Sequence, residues 1–508
     1  MNRILSAAET RELDRIAIEE HGIPGILLME HAARAVAARG REMLGPGGRL
    51  LVVAGGGNNG GDGYAAARLL LSEGRVAEVF AVVPPEKLRG DAALQARIFT
   101  SIGGRIRRLS ELSARPGDVV VDAIFGTGLS RPPEGEFAEA IRAIGRAREA
   151  GAKVLAVDLP SGVHADTGQV LDLAVKADHT VTFGAYKRAH FCHPGAVLAG
   201  EVEVAPISWP PGILEAVTPA IRLLDDETVR ALLPRREEAG HKGSFGHCLV
   251  VAGSSGKTGA AALSGLGALI AGAGLCTVAS RPEALAQIQA HAMELMGQPL
   301  PGAGALSSTD SEALLEAAKG KAAILVGPGI PRGEGTWELL ESLMSAYEGP
   351  LVLDADALNA LVGRVEILRK AAGPVVLTPH PGEMARLLGR TVAEVQADRI
   401  EVARGFARAQ RCVVVLKGAH TVIADPDGGA ALCPVASPAL ATGGTGDVLA
   451  GVLTGLLAQG MEASAAARAA VQVHARAGES LLATTGTAGL LASDLLEAIR
   501  GVWARWAF

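Results

Sequence analysis

Two stretches of the chain carry residues whose types and spacing suit chemistry on a phosphate. Gly443-Gly444-Thr445-Gly446-Asp447 runs directly into the apolar Val448-Leu449-Ala450-Gly451, and thirty residues upstream the apolar Val413-Val414-Val415-Leu416 ends in Lys417-Gly418-Ala419-His420-Thr421. Consecutive glycines let backbone N–H groups converge, and a helix N-terminus adds about half a positive charge, so the first stretch reads as an anion-binding turn opening a helix. The second reads as a buried strand that delivers Lys417 as a point charge for a phosphate. Asp447 falls in the first helical turn, where it can cap the helix or act as a base.

A second set lies in the first half. Leu50-Leu51-Val52-Val53-Ala54 is a buried parallel strand by its unbroken apolar run, and it feeds Gly55-Gly56-Gly57-Asn58-Asn59-Gly60-Gly61-Asp62-Gly63-Tyr64. Gly55, Gly57 and Gly60 satisfy GxGxxG. A hydride-transferring dinucleotide enzyme would place an acid at the end of the next strand, where Val82-Val83-Pro84-Pro85 stands instead. Asn58, Asn59 and Asp62 put side-chain oxygens beside the glycine nest, which suits a phosphate together with a cation. Asp122 and Asp158 each end an apolar run, and buried carboxylates need partners. With Asn59 and Ser161 they offer oxygen ligands to a hard cation, and Asp158 can instead be an acid/base.

Thr378-Pro379-His380-Pro381-Gly382-Glu383 and Asp354-Ala355-Asp356-Ala357-Leu358 likewise follow strand-like runs. His380 is placed to hydrogen-bond a substrate, and Asp356 to help hold Mg²⁺ or to cap a helix. Gly253-Ser254-Ser255-Gly256-Lys257-Thr258 fails the P-loop spacing, because Val251 stands where its first glycine belongs. His190-Phe191-Cys192-His193 lacks the further ligands of a metal site and reads as a loop with ordinary histidines.

The elements that must position these residues alternate. Strand-like runs at 50–54, 76–83, 119–122, 154–158 and 179–183 are separated by helical stretches, the clearest at 92–101 and 137–149, with another over 65–72. Ser6-Ala7-Ala8-Glu9 is a capping box, and residues 25–36 form a helix with an apolar stripe. Prolines at 206, 210, 211, 219 and 234 interrupt the pattern, which places a domain boundary near 220. A second series of strands follows at 249–253, 322–326, 351–354, 375–378 and 413–416, and helices from Asp447, Glu462 and Ala488 close the chain. Strand–helix alternation means doubly wound α/β sheets, which bind ligands at the C-terminal strand edge.

The 508 residues are 49% hydrophobic but only 3% aromatic, so the cores are aliphatic. A net charge of −6 argues against nucleic acid as a partner. Five scattered cysteines without a CxxC pair read as reduced core residues of a cytoplasmic protein. The N-terminus lacks a signal-peptide run, and the weakly polar stretch 259–279 is broken by glycines, so it reads as a buried helix and strand rather than a membrane span.

Taken in order, these motifs resemble the bacterial bifunctional NAD(P)H-hydrate repair enzymes over nearly the full length. Gly57 to Gly63, Asp122-Ala123-Ile124-Phe125-Gly126-Thr127-Gly128 and Val157-Asp158-Leu159-Pro160-Ser161-Gly162 resemble the epimerase domain. Lys242-Gly243-Ser244-Phe245-Gly246-His247, with the motifs at 354–358, 378–383, 417–421 and 443–447, resembles the dehydratase domain. The resemblance implies an N-terminal Rossmann-like three-layer sandwich (1–220) and a C-terminal ribokinase-like α/β domain (221–508). It implies epimerisation of the hydrates NADHX and NADPHX, followed by dehydration of the S form at the expense of ADP.

By position it also implies site residues. Asn58, Asn59, Gly60, Gly61, Asp62, Gly126, Thr127, Gly128, Leu129, Ser130, Arg131, Pro132 and Asp158 would hold the hydrate in the first domain. Asn59, Asp122 and Ser161 would bind K⁺, with Asp158 as acid/base. In the second domain Ala260, Gly329, His380 and Asp447 would line the hydrate site, Lys417, Gly418, Ala419, His420, Thr421 and Gly446 would hold ADP with Mg²⁺, and Asp447 would be the general base. Where family members often carry Asn-Ala-Gly, this chain has His31-Ala32-Ala33, a change that bears on packing or a subunit contact. The apolar N-terminal helices favour a homo-oligomer. The alternative is a vitamin-type small-molecule kinase fused to a ligand-binding module.

Overall fold

The structure is a computed structural model that describes residues 3–218 and 220–506. The chain divides into two compact units that meet between residues 220 and 221.

In the first unit, strands β1 (Leu50–Ala54), β2 (Ala77–Ala81), β3 (Arg105–Arg108), β4 (Val119–Ala123), β5 (Lys153–Val157), β6 (His179–Phe183) and β7 (Glu201–Ala205) form one parallel sheet in the order β3-β2-β1-β4-β5-β6-β7. Its central strands are wholly buried because helices cover both faces. Helix α1 (Ala7–Arg15) starts at the expected capping box, with Ser6 Oγ accepting from Glu9 N and Glu9 accepting from Ser6 N. A single π turn, Ile16–Glu20, links it towards α2 (Gly25–Met43).

The glycine run after β1 is helical, contrary to the expectation of a turn before residue 65. Helix α3 spans Asn58–Ser72. Its glycines are there for contact: a Cβ on Gly60 would lie 2.1 Å from Gly55 O, and one on Gly63 2.6 Å from Ala123 Cβ. The first turn of α3 is thereby pressed against the ends of β1 and β4. The helices expected at 92–101 and 137–149 begin two residues earlier, as Gly90–Ser101 and Gly135–Glu149.

The second unit carries a ten-stranded sheet. Its strands are β8 (Ile221–Leu223), β9 (His247–Val251), β10 (Leu275–Ser280), β11 (Met296–Pro299), β12 (Ala323–Val326), β13 (Leu351–Leu353), β14 (Val375–Leu377), β15 (Val413–Leu416), β16 (Val422–Ala424) and β17 (Ala430–Leu432). The order is β8-β17-β16-β15-β14-β13-β12-β9-β10-β11, and only β16 runs against its neighbours. Strand β8 lies in the proline-punctuated stretch that reads as unpatterned in the sequence.

Helices α4 (Thr258–Ile270) and α5 (Thr445–Ala458) pack backbone to backbone. A Cβ on Gly451 would stand 2.1 Å from Ser264 O and one on Gly455 2.2 Å from Ala268 O. Helix α6 (Ala463–Thr485) packs against α5. The last helix, α7, starts at Asp494 rather than Ala488, because Asp494 Oδ2 accepts the Leu491 N–H and caps it there. All five cysteines are free and buried. Among the described residues no helix is long and apolar enough to cross a membrane.

Candidate active sites

At the C-terminal edge of the first sheet lies a crevice of about 680 Å³, lined among others by Asp14, Asn58, Asn59, Asp62, Gly126, Thr127, Gly128, Leu129, Asp158, Lys187 and Trp209. Gly60 and Gly61 are buried beneath it, whereas Ser130, Arg131 and Pro132 are exposed and are not part of its lining. Asp158 follows β5 with φ of +68°, a left-handed conformation that aspartate tolerates better than most residues. A Cβ on Gly126 would fall 3.0 Å from Asp158 Oδ2 and 3.1 Å from Asn59 Oδ1, so glycine at 126 is what lets these two polar groups converge.

Three residues that the sequence reading passed over complete this crevice. Lys187 Nζ lies 2.9 Å from Asp158 Oδ1, Thr182 Oγ1 donates to the same oxygen at 2.8 Å, and Trp209 Nε1 donates to Asp14 Oδ1 at 3.0 Å. Burial by itself would raise the Asp158 carboxyl, but the Lys187 ammonium and the bond from Thr182 outweigh it and hold the group below its ordinary value. Asp62 has no such cation. Burial, then the charges of Asp158 and Asp14, push it well above the ordinary carboxylate range. The crevice therefore sets a carboxyl held below its ordinary range, Asp158, beside one pushed well above it, Asp62.

Asp122 sits behind the crevice. Its Oδ2 accepts Ser161 N at 2.7 Å and its Oδ1 accepts Ser161 Oγ at 2.6 Å, while Ser161 Oγ in turn accepts Phe125 N at 2.9 Å. None of these partners is charged, and burial pushes Asp122 up to about 6. The amide nitrogen of Asn59 is buried without a partner. The oxygens of Asn59, Asp122 and Ser161 are of the type that holds a hard cation, whereas the unpartnered Asn59 nitrogen is a hydrogen-bond donor and so calls for an acceptor.

The second site is built at the C-terminal edge of the second sheet. Lys417 Nζ reaches Asp354 Oδ1 at 2.8 Å, and Lys417 N donates to Pro379 O at 2.8 Å, which joins the 417–421 and 378–383 motifs. A Cβ on Gly446 would lie 3.4 Å from Lys417 Nζ, so the glycine turn and the lysine face each other as expected. Gly444, with φ of +92°, caps α5 and puts Asp447 third in the helix. His474 Nε2 pairs with Thr445 O at 2.9 Å and steadies that turn. Burial, then the charge of Asp354, raises the Asp447 carboxyl to about 7, with Lys417 pulling the other way. Burial would lower the Lys417 ammonium, but Asp354 and Glu383 keep it charged.

The neighbouring loops arrive by backbone ties. Gly253 N donates to Pro328 O and Ser254 Oγ to Gly329 O, both at 2.8 Å, which brings Gly329 against Ala260. Asp356 is paired with Lys257 Nζ at 3.3 Å and Arg332 Nε at 3.0 Å, so it links these loops instead of standing open. His380 is exposed and caps its helix through Gly382 N. His420 Nδ1 meets Cys433 O at 3.1 Å, and Thr421 Oγ1 donates to Gly418 O at 3.0 Å. Buried Arg399, the first residue of the helix Arg399–Gln410 and unforeseen in the sequence, donates to the carbonyls of Leu416 and Lys417 at 3.2 Å and fixes this turn. Among the described residues no three His, Cys, Asp or Glu side chains converge as a metal cage. Mg²⁺ in such a site is held largely by nucleotide phosphates and water.

Comparison with known proteins gives the same two halves. Residues 248–500 match the family described as NAD(P)H-hydrate dehydratase, and residues 26–189 the YjeF-related protein N-terminus. The bifunctional NAD(P)H-hydrate repair enzyme of Moorella thermoacetica is 42% identical over 97% of this chain and 95% of its own length. That of Escherichia coli is 32% identical over 87% of this chain and 82% of its own length. The structure of the ADP/ATP-dependent NAD(P)H-hydrate dehydratase from Bacillus subtilis, co-crystallised with ATP and Mg²⁺, is 35% identical with a TM-score of 0.50, covering 56% of this chain and 98% of its own. The chain belongs to the family of bifunctional NAD(P)H-hydrate repair enzymes.

Proposed function

We propose that the unit before residue 221 interconverts the R and S hydrates of NADH and NADPH, and that the unit after it dehydrates the S form with ADP as phosphoryl donor. The observation that carries this reading is the pairing of two crevices with opposite needs. The first sets Asp158, held below its ordinary range by Lys187, beside Asp62, pushed well above it by burial, with no lysine tied to its glycine turn among the described residues. The second has a lysine, a glycine turn and a carboxyl poised near neutrality.

Inversion at C6 consumes no proton overall, so it needs one base and one acid. Asp158 takes the proton of the C6 hydroxyl while the C6–N1 bond breaks and a C6 carbonyl forms, and Asp62 gives its proton to N1. Rotation about C5–C6 and the reverse transfers close the ring on the other face. Asn58 and the 126–129 loop position the ring, and Asn59, Asp122 and Ser161 are the residues that would hold K⁺, which would supply a fixed positive charge beside the crevice.

In the second unit hydroxide is the poor leaving group that must be improved. Asp447 removes the C6 hydroxyl proton as that oxygen attacks the terminal phosphorus of ADP, and AMP departs. The phosphate then leaves C6 with loss of a C5 proton, which restores the C5=C6 double bond of NAD(P)H. Lys417 and the N–H groups around Gly446 stabilise the transferring phosphoryl; Gly418 to Thr421 cradle the nucleotide, and Ala260, Gly329 and His380 flank the ring. Cytoplasmic location follows from the substrates. Homo-oligomeric assembly is proposed from Ile18 and Leu27, which are exposed on the N-terminal segments.

Recovery of absorbance at 340 nm from mixed-epimer NADPHX, with Mg²⁺ and K⁺, tests the reading. Recovery that requires nucleotide and consumes both epimers supports it. A stable phosphoester in place of NADPH would establish the kinase alternative.

A further inference from the structure

We propose that Lys187 is the positioning residue of the first crevice, holding one oxygen of Asp158 so that the other is presented to the substrate. The inference rests on Asp158 being the base of epimerisation. Lys187 is 1% exposed, yet it lines the crevice. Its ammonium is surrounded by Asp158 Oδ1 at 2.9 Å, Thr182 Oγ1 at 2.9 Å, Phe183 O at 2.8 Å and Ala185 O at 3.2 Å. Four acceptors for three N–H donors fix both its place and its direction.

The same segment also grips the backbone of Asp158. Lys187 N donates to His190 Nδ1 at 3.1 Å, which leaves the proton of neutral His190 on Nε2, 3.1 Å from Asp158 O. Burial, then the Lys187 charge, pushes His190 down to about 4, so the ring is neutral in the working range and adds no charge of its own. The +68° φ of Asp158 is a conformation that persists when its surroundings over-determine it, and here carbonyl and carboxylate are both tied to one segment some thirty residues downstream.

The two carboxylate oxygens are used differently. Oδ1 carries the bonds from Lys187 and Thr182. Oδ2 lies over Gly126 beside Asn59 Oδ1, on the crevice wall. The other titratable groups around the pair are Asp62 and Asp14, carboxyls pushed above their ordinary range, and His190, while Arg11 and Asp91 line the crevice further along. Lys187 is the cation bonded to Asp158, so its removal leaves that carboxyl to the effect of burial.

The test uses the full chain with Lys187→Met and Lys187→Arg. Interconversion of chromatographically separated epimers is followed without nucleotide across pH, and dehydration of the S form serves as an internal control. Lys187→Met is expected to lose about 100-fold or more in epimerase kcat with KM little changed, and to move the acid limb of its pH profile up by about 1–3 units. Lys187→Arg is expected to restore the limb and at least about tenfold of the rate. A folded Lys187→Met chain with wild-type rate and profile overturns the proposal. If that chain does not fold, Thr182→Val keeps both charges and removes one tie to Oδ1; a raised acid limb and slower turnover support the proposal, and an unchanged profile overturns it. Asp158→Ala separates the two failures. An active Asp158→Ala chain removes the base assignment, whereas an inactive one beside an unaffected Lys187→Met removes only the role of Lys187.

Discussion

The Lys417 ammonium lies 2.8 Å from Asp354 Oδ1, and Asp354 is 1% exposed. The lysine that would meet the nucleotide is thus also the counter-ion of a buried carboxylate. Lys417→Met should therefore do two things: weaken nucleotide binding and leave Asp354 uncompensated. Denaturant unfolding of the second unit should show a loss of about 3–5 kcal/mol, the usual cost of orphaning one partner of a buried pair. The double variant Lys417→Met/Asp354→Leu should recover most of that stability without recovering activity. A single variant as stable as the parent would show that the pair is not a buried one.

Asp447 titrates in the working range. A general base must be ionised, and its carboxyl is raised to about 7. The kcat/KM of dehydration should accordingly rise with pH through about 7 and fall by about tenfold per unit on the acid side. Removing the neighbouring charge with Asp354→Asn should move this limb downward, since Asp354 is the largest electrostatic cause of the rise after burial. A limb that stays in place would uncouple Asp447 from the proton transfer.

The close approach of α4 and α5 rests on glycine. Gly451→Ala would bring its Cβ to 2.1 Å from Ser264 O. The helices must separate, at a cost of about 1–3 kcal/mol. Because Asp447 stands at the head of α5, dehydratase activity should fall with stability while epimerase activity persists. Loss of both together in a thermal scan would mean that the two units do not unfold independently.

Potassium dependence offers a separate test of the first unit. Epimer interconversion should be faster in K⁺ than in a large organic cation at equal ionic strength, and Ser161→Ala should abolish the difference while leaving nucleotide-driven dehydration of the S form intact. Equal rates in both salts would leave Asn59, Asp122 and Ser161 as a purely structural hydrogen-bonded cluster.

Much of this arrangement is legible in the sequence for a physical reason. Glycine runs that open helices, and carboxylates that end apolar runs, mark the ends of parallel strands, where such sheets bind ligands. Asp122, Asp158, Asp354 and Asp447 are found that way. Lys187, Trp209 and Arg399 are not, because each is brought in by tertiary folding from a segment that carries none of the site's motifs. Strand β11 escapes for a different reason. All four of its residues are exposed at the sheet edge, so no apolar period betrays it. The exposed Ser130 to Pro132 show the converse, since a contiguous motif need not line the crevice along its whole length. His31 contacts Ser208 Oγ through Nδ1 at 2.5 Å, which gives the His-Ala-Ala variant a local partner that the sequence did not foretell.

The division of labour between the two crevices is the central claim, and complementation measures it most directly. Mixed-epimer NADPHX is supplied with ADP, Mg²⁺ and K⁺, and absorbance at 340 nm is followed with Asp158→Ala chain, Asp447→Asn chain, or both together. The account predicts prompt recovery of only the S fraction with the first, essentially none with the second, and full recovery from the mixture. Full prompt recovery by Asp158→Ala alone, or any wild-type-like recovery by Asp447→Asn alone, would contradict it.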